Sequence, residues 1–264
     1  MNKFVHKKSL GQNFLHDNNV LTKIKQSVSV SSDDLIIEIG PGQGALTKKL
    51  KEFEANLVCF EIDDRTKEYL LPLEDEKTRI VYGDFLKVDV YEEIKDIKYN
   101  KIYVIANLPY YITTPIIEKI INLDLAVEEM VLMVQKEVAE RFASKPGNKS
   151  YGSITIYLNY YFDVQKLFVV GRSSFTPAPN VDSMIIKFQK RNDKFGLIDE
   201  EHFFSLVKNS FKQKRKTIKN NLYSYDLNVI ESVLESNGLS LQSRAEQISI
   251  DVFAKISNEL ISKK

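Results

Sequence analysis

The chain has 264 residues, 43% of them hydrophobic, enough for one large core and a small second domain, which excludes a disordered or fibrous protein. Its only cysteine is Cys59 and its histidines (His6, His16, His202) are scattered, so an internal disulfide is excluded and no metal is expected. Net charge is +1; no run of about 18 uncharged apolar residues suits a membrane span, and no apolar stretch follows the first lysines as a secretory leader requires, so a cytoplasmic protein is expected.

The chain opens with a polar, glycine-containing arm, Lys7-Lys8-Ser9-Leu10-Gly11-Gln12-Asn13-Phe14-Leu15, within a stretch where five lysines face Asp17 alone. Val20, Ile24 and Val28 then recur at helical spacing. From Asp34 the period changes. Leu35-Ile36-Ile37-Glu38-Ile39-Gly40 is short and rich in β-branched residues, which predicts a strand covered on both faces. Gly40-Pro41-Gly42-Gln43-Gly44 follows, and Ala45–Leu50 opens a helix. Glycines permit a tight turn and close approach of the backbone to a ligand, and the helix start offers free amides. The next strand, 56–62, delivers Glu61 about 20 residues beyond the turn, the separation at which an acid meets ribose hydroxyls in doubly wound folds. Together these features predict a nucleoside site; taken singly, a structural turn and a solvated strand end stay open.

Arg79-Ile80-Val81-Tyr82 reads as a third strand, delivering Gly83-Asp84-Phe85. Asp84 suits an adenine amino group with Phe85 over the ring, and suits a cap on the following turn equally well. The fourth strand, Ile102–Ala106, delivers Asn107-Leu108-Pro109-Tyr110: an amide, a rigid proline and an aromatic ring, the parts needed to hold a planar base. The alternative is a plain strand-to-loop turn with Tyr110 in the core.

Thr113-Thr114-Pro115 starts a helix with Ile116, Ile117, Ile120 and Ile121 as its apolar stripe. Met130–Val134 predicts a fifth strand, Lys136–Phe142 a helix and Lys145–Lys149 a surface loop. Ser153–Tyr161 fits both periods, with a helix expected. Phe168–Val170 and Val181–Phe188 are the last two strands, joined by Phe175-Thr176-Pro177-Ala178-Pro179, whose prolines stiffen the link and are expected to present Phe175. Beyond the polar hinge Lys190–Lys194 only helical spacing remains. There Lys208, Lys212, Lys214, Arg215, Lys216 and Lys219 occur with no intervening acid, a pattern that suits a polyanion contact or a solvated face.

The motifs Leu10–Leu15, Glu38–Gly44, Glu61, Gly83-Asp84, Asn107–Tyr110, Phe175–Ser183 and Arg215-Lys216-Thr217 together resemble the KsgA/RsmA family of small-subunit rRNA adenine N6,N6-dimethyltransferases, nearly end to end. Several also resemble Erm-type enzymes of large-subunit rRNA; Leu108 and the basic stretch favour the small-subunit branch, while Asn180 departs from the lysine of many relatives. The resemblance implies an α/β fold: a Rossmann-like, seven-stranded S-adenosylmethionine-dependent methyltransferase domain over 1–190 and a small all-helical domain over 191–264 that contributes to rRNA binding. It implies cofactor contacts at Asn13, Leu15, Gly40, Gly42, Glu61, Asp84 and Asn107, with S-adenosylhomocysteine as product.

The resemblance further implies a monomer, acting without metal or membrane on two adjacent adenosines in a loop near the 3′ end of 16S rRNA. Asn107 and Leu108 are expected to accept the N6 hydrogens, with Pro109 rigidifying the turn, Tyr110 stacking on the base and Phe175 closing the opposite side. Lys7 and Lys8 of the arm and Lys208, Lys212, Lys214, Arg215, Lys216 and Lys219 are the expected RNA contacts. An Erm-type enzyme and a largely non-catalytic assembly factor remain alternatives. A nicotinamide dehydrogenase shares the turn and acid, but no histidine or Tyr-Lys pair is evident for hydride chemistry.

Overall fold

The computed structural model describes residues 12–123 and 125–263. Its strands, in chain order, are β1 (Phe14–Leu15), β2 (Leu35–Ile39), β3 (Asn56–Glu61), β4 (Thr78–Tyr82), β5 (Ile102–Asn107), β6 (Val127–Gln135), β7 (Phe162–Val170), β8 (Phe175–Thr176) and β9 (Ser183–Lys190). Seven of them form one sheet in the order β4-β3-β2-β5-β6-β9-β7, and β1 pairs with β8 in a separate ribbon. Strands β2 to β6 run parallel, and β9 lies antiparallel to β6. This is the seven-stranded Rossmann-like fold expected from the motifs.

All five residues of β2 are buried, and β3 and β5 are nearly so, which is why these strands read as continuous apolar runs rather than alternating ones. Strand order reverses between β2 and β5, since β3 lies on one side of β2 and β5 on the other. In open α/β sheets that reversal opens a crevice at the carboxyl ends of the strands. Gly40, Glu61 and Asn107 therefore arrive at one edge although 67 positions separate the first from the last.

The chain divides into two units, one made of residues up to Ala139 with Gln165–Gln189, the other of Glu140–Val164 with Lys190 onward. The helical unit is thus larger than the expected 191–264. Its additional helix, Ser153–Tyr161, buries Ile156 and Tyr160 in a cluster with Phe203, Leu206, Ile230 and Phe253, so its apolar face belongs with the later helices. Within that unit, Asp199, Asp226 and Ser249 cap Glu200–Ser210, Leu227–Glu235 and Ile250–Ser262 by accepting from first-turn amides.

Several strand boundaries differ from expectation. β6 spans Val127–Gln135 rather than Met130–Val134, because Glu128 and Glu129 interrupt the apolar run at its start. β9 starts at Ser183 rather than Val181. β7 starts at Phe162, six residues before the predicted Phe168, because it is the terminal strand of the sheet and its half-solvated polar residues dilute the apolar signal.

Candidate cofactor and base-binding site

The turn after β2 is closed by its own backbone and by a carboxylate from β3. Gly40 has φ +70° and its N–H donates to the Phe60 carbonyl at 2.8 Å; Gly42 has φ +60° and its N–H donates to Glu61 Oε2 at 2.9 Å. Glu61 Oε1 accepts from the Asp63 N–H at 2.8 Å, so both oxygens of this buried carboxylate anchor backbone. Burial raises the Glu61 pKa, against the opposing pull of the Asp63 and Gly42 amides. Glycine is required at 42 for space as well as for φ: a Cβ there would lie 2.6 Å from Phe14 Cε1.

At the end of β5 the Leu108 N–H donates to the Met133 carbonyl at 3.3 Å, which buries Leu108 and fixes the exit of the chain. The half-buried Asn107 sits one residue earlier, its Nδ2 donating to the Asn13 carbonyl at 3.2 Å. Pro109 precedes a single turn of 3-10 helix, Tyr110–Ile112. The Tyr110 hydroxyl and Ser183 Oγ share a hydrogen bond of 2.7 Å, which sets the ring angle, and desolvation raises the phenol pKa.

One cleft brings these parts together: Gln12, Asn13 and Phe14 from the first strand region, Gly40 and Gly42 from the turn, Glu61 and Ile62 from β3, and Asn107–Tyr110 from β5. Ile62 is 52% exposed, an apolar surface beside a carboxylate, as a nucleoside requires.

Other expected residues lie elsewhere. Asp84 stands at the carboxyl end of β4, where its Oδ1 accepts from the Leu86 N–H at 3.0 Å; it caps its own turn, one of the two roles open from the sequence. Phe85 is buried, its ring edge-on to Phe60 at 5.3 Å between centroids, so it packs in the core rather than lying free to cover a base. Leu15 and Phe175 are opposed across the β1–β8 ribbon and are 6% and 4% exposed. The stiff proline link therefore does not hold Phe175 out to solvent; its ring belongs to the buried core cluster that includes Leu15. Lys208, Lys212, Lys214, Arg215, Lys216 and Lys219 are all exposed, and among the described residues none of them forms an ion pair, though Lys214 Nζ donates to the Lys149 carbonyl at 2.6 Å. Lys7 and Lys8 lie outside the described residues.

Several contributors were not singled out from the sequence. Ile62 follows a strand-end acid, Ser183 closes the Phe175–Ser183 motif, and Gln12 adjoins the expected contact Asn13. Lys119 carried no signal: it sits on Thr113–Asn122 and its Nζ donates to the Phe85 and Val88 carbonyls, each at 2.6 Å, holding the loop that follows β4. Among the described residues no cluster of three or more His, Cys, Asp or Glu suits a metal ion, and no helix is long and apolar enough to cross a membrane.

Comparison with known proteins matches residues 3–262 to the ribosomal RNA adenine dimethylases. The chain belongs to this family. It is 43% identical to the ribosomal RNA small subunit methyltransferase A of Bacillus mycoides (strain KBAB4) and to that of Bacillus cereus (strain B4264), over 99% of this chain and 93% of each relative. Among solved structures, a dimethyladenosine transferase from Plasmodium falciparum superposes with a TM-score of 0.76 at 28% identity, covering 92% of this chain and 95% of that one. The 23S rRNA methyltransferase ErmE superposes with a TM-score of 0.75 at 22% identity, covering 94% and 100%, a likeness of fold.

As an rRNA adenine dimethylase, the protein is a methyltransferase that uses S-adenosylmethionine. The cleft fits that cofactor. S-Adenosylmethionine has no pyrophosphate, and the turn correspondingly directs the Gly42 N–H onto Glu61 instead of leaving it free for a phosphate. The exposed Ile62 side chain and the buried carboxylate beside it suit adenine and ribose.

Proposed function

We propose that this protein dimethylates the N6 amino groups of two adjacent adenosines in a loop near the 3′ end of 16S rRNA, acting as a cytoplasmic monomer on the small ribosomal subunit. The observation that carries the reading is the convergence of Asn107–Tyr110 with the glycine turn and Glu61 in one cleft. Small-subunit specificity is supported by relatives that bear the name and by the basic segment of the helical unit.

In this reading Gly40, Gly42, Glu61, Ile62 and Asn13 hold the cofactor, with Leu15 behind them and Asp84 beyond the end of β4. Bound there, S-adenosylmethionine supplies an electrophilic methyl group. The chain has to make a poor nucleophile available, because the N6 lone pair is delocalised into the adenine ring. Asn107 Oδ1 and the Leu108 carbonyl accept the two amino hydrogens and favour a pyramidal nitrogen. Tyr110, its angle set by Ser183, stacks on the base. No strong general base is needed, since the methylated nitrogen is acidic and releases its proton to solvent. An unpaired loop adenine suits the pocket, because a base must leave its stack to enter. Lys208, Lys212, Lys214, Arg215, Lys216 and Lys219 contact phosphates, conferring affinity without sequence choice.

The test is methyl transfer from labelled S-adenosylmethionine to undermethylated small subunits, with mass spectrometry of the digested RNA. Dimethyladenosine that is formed by the wild type and lost in Asn107→Ala is the expected result. Transfer to large-subunit RNA alone overturns the choice of substrate, and silence on both subunits favours an assembly factor.

A further inference from the structure

The segment Gln12–Leu15 crosses the cofactor cleft and is tied down on both sides. On one side Gln12 Nε2 donates to Asp63 Oδ2 at 2.6 Å. Asp63 is itself gripped by the Arg65 guanidinium, Nε at 2.8 Å from Oδ1 and a terminal nitrogen at 2.6 Å from Oδ2. On the other side the Asn13 carbonyl accepts from Asn107 Nδ2 at 3.2 Å. Between these ties the Phe14 ring lies against Gly42, and Phe14 and Leu15 pair with Thr176 and Phe175.

The tie at Asp63 is built to be rigid. Its side chain is 2% exposed, its backbone N–H donates to Glu61, and its Oδ1 also accepts from the Arg65 N–H at 3.2 Å, capping the turn Asp64–Thr66. The Arg65 guanidinium first, and Gln12 after it, hold the Asp63 carboxyl at a pKa of about 2, so it is a full carboxylate at any working pH.

The tie at Asn107 determines chemistry. A carboxamide has two flips of nearly equal shape, one presenting an acceptor and the other a donor. A backbone carbonyl accepts only, so the Asn107 atom that meets Asn13 is the NH2, and Oδ1 is turned away from it. If the strap shifts, that constraint goes, and an amide presenting NH2 to an adenine amino group sets donor against donor.

We propose that Asp63 is a positioning residue for methyl transfer: through Gln12 it fixes the strap Gln12–Leu15, and the Asn13 carbonyl on that strap fixes the flip of the Asn107 amide. The inference rests on the reading of Asn107 as acceptor of the amino hydrogens. Asp63 touches neither the reacting nitrogen nor the methyl group in this scheme, and acts only through the strap.

The experiment compares Gln12→Ala, Gln12→Glu and the exchange Gln12→Glu with Asp63→Asn, with Asn107→Ala as reference. Single-turnover methyl transfer to undermethylated small subunits is measured at saturating S-adenosylmethionine, beside cofactor affinity and thermal unfolding of each variant. Loss of one hydrogen bond to a charged group corresponds to a fall of about tenfold or more in the rate for Gln12→Ala at saturating cofactor, with the unfolding midpoint close to wild type. Gln12→Glu opposes two carboxylates and falls further. The exchange restores a donor facing an acceptor, now from Asn to Glu, and regains most of the rate; a destabilised protein lacking that specific contact does not. A wild-type rate in folded Gln12→Ala, or an exchange variant no faster than Gln12→Glu, overturns the positioning role while leaving Asn107 intact as the acceptor. An active Asn107→Ala overturns the underlying reading instead.

Discussion

Tyr110 and Ser183 share a hydrogen bond of 2.7 Å, joining the turn after β5 to the first residue of β9. Ser183 is fully buried and Tyr110 half-buried, so the contact fixes the ring of the expected stacking residue from behind. Removing the Ser183 hydroxyl leaves the phenol without that partner. Ser183→Ala is therefore expected to cost about 1 kcal/mol of stability and to raise the KM for RNA severalfold, with S-adenosylmethionine affinity unchanged. Steady-state kinetics with each substrate varied in turn, beside calorimetric titration of the cofactor, separates the two effects.

Gly42→Ala places a methyl group 2.6 Å from Phe14 Cε1 on a residue whose φ is +60°. Strain of this kind costs about 1–3 kcal/mol, and relief requires Phe14 to leave the cleft wall. Cofactor affinity is expected to fall at least about tenfold, a loss measurable by titration calorimetry. Wild-type affinity in Gly42→Ala would show that the turn relaxes without disturbing the ligand.

Glu38 is buried in the middle of the sheet, where desolvation lifts its pKa from 4.5 to about 7 against the pull of Thr47 and Cys59. Between those values the folded chain binds a proton that the unfolded chain has released. Stability from this group is therefore fully present below pH 4.5, declines as pH rises toward 7 and is flat above, a span on the order of 3 kcal/mol. Glu38→Gln removes this slope. Urea unfolding across pH 5 to 8 is expected to show wild type losing stability relative to the variant, and parallel curves would refute the assignment.

Lys119 donates to the Phe85 and Val88 carbonyls and lies 5.2 Å over the Phe85 ring. Desolvation lowers its pKa, yet it remains the donor that holds the loop carrying Asp84. Lys119→Met keeps the apolar stem and removes both bonds. The expected result is a loss of about 1–3 kcal/mol in stability and faster amide hydrogen exchange over 83–88. Unchanged exchange there would assign the loop's order to other contacts.

Arg215 and Lys216 are exposed in the basic stretch of the helical unit. Reversing both charges is expected to weaken RNA binding and to flatten its dependence on salt by about one unit of slope per lost phosphate contact. Cofactor affinity serves as the control, and its equal loss would indicate misfolding rather than a phosphate role.

By itself the sequence determined the α/β class, the seven strands, the glycine turn with Glu61, and the motif Asn107–Tyr110. Each is local: a strand buried on both faces is a continuous apolar run, and a turn with positive φ marks itself with glycine. The family resemblance rests on these same local motifs. Only the tertiary structure decided that Asp84 caps its own turn, that Phe85 and Phe175 are buried, and that Ser153–Tyr161 packs with the helical unit. Exposure depends on what packs against a side chain, and a motif does not record its neighbours. The same holds for Gln12 with Asp63 and Asn13 with Asn107. These pairs are 51 and 94 residues apart, and no spacing rule connects them; they meet because β3 and β5 flank β2 and end at the same edge of the sheet.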